Sequence, residues 1–126
     1  MKRYVASLLL LLLLSGCERQ VRIDDHFSLS SFDTDDLSLI YLDSGNYMFS
    51  VINSDVVAYL KCGNHIYVIQ HPVDSMGVPD ANSPQFFVLD TSIDYSDERR
   101  KPYSISKSRF EEMLKSECGN KELVDL

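Results

Sequence analysis

"VVAYLKCGNHIYVIQ", residues 56–70, decides the fold. Residues 56–62 and 65–70 are two runs rich in β-branched and aromatic side chains, which suit a pleated, half-buried surface. Only Gly63-Asn64 lies between them, and a two-residue loop of this kind closes a tight antiparallel hairpin. The loop length also sets the register, placing Cys62 opposite His65, Leu60 opposite Tyr67 and Ala58 opposite Ile69. Upstream, residues 37–42 and 47–52 are similar runs, bounded by the turn clusters "DSGN" (43–46) and "NSD" (53–55). Downstream, residues 86–90 form another, and Val21, Ile23, Phe27 and Leu29 alternate as an early strand would. The expected class is therefore mainly β (α+β), an antiparallel meander of about five or six strands.

Both faces of these runs carry apolar residues. Tyr47, Phe49 and Val51 line one side, and Met48 and Ile52 the other, so something must cover part of the second face. The stretch "SKSRFEEMLKSECG" (106–119) is the candidate cover. Ser108 followed three residues later by Glu111 fits a capping box. Phe110, Met113, Leu114 and Cys118 keep helical spacing, and Gly119 stands where a helix would stop. A C-terminal helix packed on the sheet, with Cys118 turned inward, is the expectation.

The N-terminus decides the address. Lys2 and Arg3 precede an apolar block at 5–14, the layout of a secretory signal. The block is too short to span hydrocarbon, which takes roughly 20 apolar residues. Leu14-Ser15-Gly16-Cys17 then resembles the lipobox of bacterial lipoproteins. The resemblance implies cleavage before Cys17, a diacylglyceryl thioether on its sulfur and an acyl chain on the new amine. The alternative is an ordinary signal peptide with an incidental cysteine. On the lipobox reading residues 1–16 are signal peptide, 17–20 the lipidated Cys17 with a short tether, and 21–126 one small β-rich domain. Multiple acyl chains anchor a protein stably where a single chain does not. In enteric lipoproteins Asp after the lipidated cysteine favours the inner membrane. Glu18 is not that residue, so the expected place is the outer membrane, facing the periplasm.

With Cys17 lipidated, Cys62 and Cys118 remain as an even pair in an oxidising compartment. A bond between them would staple sheet to helix and stabilise the domain by about 4 kcal/mol on the chain-entropy model. Two buried thiols are the alternative. The whole chain has 12 Lys and Arg against 19 Asp and Glu. Losing Lys2 and Arg3 takes the net charge from −7 to about −9. A surface of that sign repels nucleic acid, whose binding is not expected. It suits a basic protein partner by complementarity, or simply solubility.

Candidate chemistry is sparse. Cys62-x-x-His65 could begin a zinc site, but only Cys118, His71 and His26 are left to complete it, and their spacing supplies no second ligand pair. Asp24-Asp25-His26 and Asp33-x-Asp35-Asp36 lack the glycine and distant Glu of a calcium loop. Ser75-Met76-Gly77 lacks the strand–turn–helix context of a hydrolase nucleophile. A domain of this size also leaves little room for a cleft of about 300–1,000 Å³. No catalytic residue, metal or cofactor is expected. The long segments 71–85 and 91–103 are where a contact surface belongs. Within the second, Arg99-Arg100-Lys101 beside Asp97-Glu98 is the one basic run, either a solvated loop or a contact point for an acidic groove on a partner.

Arg22-Ile23-Asp24-Asp25-His26, followed by an aromatic and Leu29, resembles the start of the lipoproteins that act as immunity proteins to type VI secretion lipase effectors. The likeness covers about eight residues beyond the lipobox and transfers no functional residue. It implies a non-catalytic periplasmic inhibitor that binds one incoming protein. An accessory lipoprotein of an envelope or secretion complex would share the lipobox and the acidity, and is the alternative.

Overall fold

The computed structural model describes residues 19–31 and 36–126. The expectations placed on residues 1–16, Cys17, Glu18, Asp33 and Asp35 lie outside them. The described chain is mainly β with one C-terminal helix, and its strands form two antiparallel sheets. The first sheet orders β1 (Gln20–Arg22), β2 (Phe27–Ser30), β3 (Ser38–Leu42) and β4 (Met48–Ile52) side by side. The second contains β5 (Val56–Cys62), β6 (His65–Gln70), β7 (Gln85–Asp90) and β8 (Val124–Asp125), in the order β7-β6-β5-β8.

The hairpin that decides the fold has the expected register: Cys62 pairs with His65, Leu60 with Tyr67 and Ala58 with Ile69. Gly63 turns it at φ +55°, a left-handed conformation that favours glycine. The consecutive pairing of a meander stops at residues 53–55, where the chain leaves one sheet for the other. There Val56 donates its N–H to the Leu37 carbonyl, and Asp55 exchanges backbone hydrogen bonds with His71. One flat sheet would leave a whole apolar face bare, whereas folding over sets the two faces together.

The core fills the space between the sheets. Phe27, Leu29, Leu39 and Tyr41 of the first meet Val56, Ile66, Val68 and Leu89 of the second. Leu39 and Tyr41 enter this core, while Ser28, Ser38 and Ser50 share the other face of the first sheet with Ile40, which is itself buried among them. The second sheet is covered on both sides. Against its outer face lies α1 (Lys107–Cys118), with Phe110 meeting Tyr67 and Phe86 at ring-centroid distances of 5.6 and 5.2 Å.

Two details of α1 matter. Its N-cap is Ser106, whose Oγ accepts the Arg109 N–H, so the helix starts two residues before the expected Ser108–Glu111 box. Ser108 lies inside the first turn and hydrogen-bonds Ser106 instead. Its C-terminal Cys118 is disulfide-bonded to Cys62 across a Cα–Cα distance of 5.7 Å. Among the described residues, no helix is long and apolar enough to cross a membrane.

Candidate functional site

The segment that follows β7 is ordered by its aspartates. Asp90 Oδ1 accepts the Ser92 N–H, Asp94 Oδ1 the Ser96 N–H and Asp97 Oδ1 the Arg99 N–H, three successive Asx turns. These hydrogen bonds hold all three carboxyls below the usual carboxylate range, led by the Ser92 hydroxyl, the Ser96 hydroxyl and the Arg99 side chain respectively. Between them Tyr95 turns inward. Its hydroxyl accepts the Asp90 N–H, and its ring meets Phe27 and Tyr41 of the first sheet at 5.8 and 6.2 Å. A segment that reads as polar and irregular is thus pinned to the core at one aromatic. A 3-10 turn at Glu98–Arg100 follows, and the chain returns to pair Ile105 with Phe86.

That return path walls a groove of about 610 Å³ along the outer face of β7. Val88, Ile93, Ile105 and Met113 give it an apolar floor, and the side chains of Arg99, Arg100, Lys101 and Arg109 line it together with His65 and Asp90. Tyr103, 84% exposed, stands at the rim. A second cavity of about 340 Å³ shares His65, Arg109 and Met113 with the first and runs on beside α1 past Glu112 and Ser116. The groove is lined by Val88, Ile105 and Met113 of the helix-side cluster and, past the end of β7, by Ile93 and Tyr95 of the core between the sheets.

Of the expected contact run, Arg99, Arg100 and Lys101 reach the groove, while Asp97 and Glu98 do not line it. Those two acids pair with the cations instead. Arg99 makes two hydrogen bonds to Asp97, at 3.1 and 3.0 Å, Arg100 comes within 4.0 Å of the same carboxylate, and Lys101 lies 3.7 Å from Glu98. Arg109 has neither an ion pair nor a side-chain hydrogen bond among the described residues. No linear signal marks Arg109 or Tyr103, because the groove is assembled from β6, β7, the return segment and α1.

The other expected ligands are used structurally. Cys62 is in the disulfide, and His65 points its Nδ1 at Glu117, 2.8 Å from Oε2. The Tyr67 hydroxyl lies 2.8 Å from Glu117 Oε1 and 3.1 Å from the Met113 carbonyl. Hydrogen bonding by His65 holds the Glu117 carboxyl below its ordinary range, with Tyr67 adding to it. Burial first, and then Glu117, push the Tyr67 phenol well above its own. The network is a polar clamp beside the disulfide, fixing the end of α1 to the β5–β6 turn. His26 stacks on Tyr41 and contacts the Leu42 carbonyl through Nδ1 at 2.9 Å. His71 pairs through its backbone with Asp55.

Single aspartates are used in the same way. Asp24 Oδ1 accepts the N–H groups of His26 and Phe27, and Asp43 Oδ1 those of Gly45 and Tyr47. Asp74 holds the turn at Ser75-Met76-Gly77 by accepting from Met76 and Val78, and Asp80 accepts from Asn82. Much of the negative charge is therefore turn chemistry. Among the described residues no three His, Cys, Asp or Glu side chains gather as a metal-ligand set. No family model, curated protein or solved structure matches the chain.

Proposed function

We propose that this protein is a lipid-anchored lipoprotein of the bacterial envelope that works as a non-catalytic binding module. Its most specific form is an immunity-type inhibitor of one secreted effector, held through Cys17 at the periplasmic face of the outer membrane. The groove beside β7 and α1 is its contact surface. The observation that supports this is the groove's make-up, an apolar floor under four cationic side chains in a chain of net charge −7. Apolar centres edged by Arg and Tyr are the make-up of protein-binding hot spots. Export fits the disulfide, which persists in oxidising compartments.

The test is affinity capture of the Cys17-anchored protein from envelope extract, with stoichiometry by mass spectrometry. One dominant partner with hydrolase activity that falls silent on adding the lipoprotein supports inhibition. Capture of a set of secretion or envelope-assembly subunits overturns it in favour of an accessory role. A Cys17→Ser variant that stays in the membrane fraction overturns the anchor.

A further inference from the structure

We infer that the groove takes an extended, acidic segment of a protein partner, and that Arg109 clamps one of its carboxylates. The inference rests on the groove being a protein-binding site and adds the chemistry of the occupant. Length is the first argument. The two cavities are neighbours with His65, Arg109 and Met113 in both linings, so concave surface extends from the 99–101 wall along α1. An apolar-floored groove with a second hollow beside it suits a chain segment rather than a compact ion.

Charge is the second. The first cavity is lined by four full cations and one carboxylate, Asp90, which is occupied by Ser92. The second adds Glu112 and Glu117, the latter held by His65 and Tyr67. The acids that balance the 99–101 run, Asp97 and Glu98, sit off the lining in exposed ion pairs. The Arg100–Asp97 and Lys101–Glu98 pairs, at 4.0 and 3.7 Å, are loose, so a ligand carboxylate can replace them at small cost, while Arg99 stays forked on Asp97. Arg109 needs no exchange at all. Its guanidinium is uncommitted, stands where the cavities meet, and offers the planar fork that fits a carboxylate.

His65 supports the clamp. With Glu117 holding Nδ1, the ring is fixed in place where it lines both cavities beside Arg109.

The experiment is fluorescence anisotropy on the full chain in detergent. The probe is a labelled ten-residue peptide alternating Glu and Leu, set against the same peptide with Lys for Glu and against phosphatidylglycerol vesicles. Saturable binding of the Glu peptide is expected, weakened about tenfold by Arg109→Met and partly restored by Arg109→Lys. Raising salt from about 0.05 to about 0.5 M should weaken it as well. Lys101→Glu is a second variant, remote from the helix cap, should Arg109→Met lower the melting temperature.

Three results overturn the inference: equal binding by Arg109→Met, preference for the Lys peptide, or binding of anionic vesicles without binding of the Glu peptide. A captured partner whose affinity ignores Arg109→Met also defeats it while leaving the binding-module reading intact. Absence of any partner in envelope extract defeats that reading instead.

Discussion

The first sheet turns one face to the core and sets serines around Ile40 on the other, the second is packed with apolar side chains on both faces, and they are held by different means. The first is joined to the molecule by its core side chains, Phe27, Leu29, Leu39 and Tyr41, and its own turns are closed by Asp24 and Asp43. The second is sandwiched between that core and α1, crossed by a disulfide and clamped by His65, Tyr67 and Glu117. Binding features follow the difference. The groove is cut into the stapled side, where Arg109 and Met113 stand on the helix that the disulfide and the Glu117 contacts fix to the sheet. A partner-facing surface gains from such preorganisation, because less ordering is lost on binding.

The largest expected break in the contrast comes from the staple. Replacing Cys62 and Cys118 together by Ala should cost about 4 kcal/mol in denaturant unfolding. Hydrogen exchange should then rise first in α1 and β6. Equal loosening of β2 and β3 would mean that the two layers open as one unit and that the contrast is only geometric. Next comes the first sheet's dependence on packing. Leu29 is fully buried, so Leu29→Ala should cost about 3 kcal/mol, with or without the disulfide.

The polar clamp should be worth less. Tyr67→Phe removes the hydroxyl on Glu117 and should cost about 1 kcal/mol. Its pH signature has a definite sign. The Glu117 carboxyl is depressed in the folded state, so its contribution is present above the ordinary carboxylate value and is lost as pH falls through the folded one. Glu117→Gln should therefore be less stable than wild type at neutral pH, and the gap should close below about pH 4.5. A gap that holds constant with pH would remove the clamp from the comparison.

Smallest is the helix cap. Ser106→Ala should cost about 1 kcal/mol, while Ser108→Ala should leave the melting temperature near its starting value. The reverse order would restore the capping box read from the sequence.

These elements differ in how far local chemistry specifies them. The β5–β6 hairpin was legible to the residue, because Gly63-Asn64 and the period-2 runs leave one register. The pairing of Cys62 with Cys118 followed from the same local readings, one at a strand end and one on a helix stripe. Residues 53–55 look like any hairpin turn, and only the packing of the two faces makes them a crossing between sheets. The last of the eight strands among the described residues was likewise hidden: β8 is two residues long and exists because Val124 and Asp125 reach Tyr59 and Ala58.

Among the site residues, the 99–101 run was visible as composition but not as a wall. Arg109 was invisible, being one of several polar residues on the outer flank of α1. Asp43-Ser-Gly, Asp80-Ala-Asn and Asp90-Thr-Ser do carry a turn signal, and reading it would have assigned much of the acidity to backbone rather than partner.

The bond between Cys62 and Cys118 also makes a covalent ring 56 residues apart along the chain. It encloses β6, β7, α1 and every loop of the groove, while the first sheet hangs outside it as a tail. A single proteolytic cut in the exposed tongue around Met76 opens the ring without releasing a fragment, and the nicked molecule runs as one band until reduced. A cut between β3 and β4 instead leaves two pieces with no covalent link. One nick inside the ring therefore leaves the groove's elements covalently linked, whereas one between β3 and β4 detaches β1, β2 and β3 from the rest.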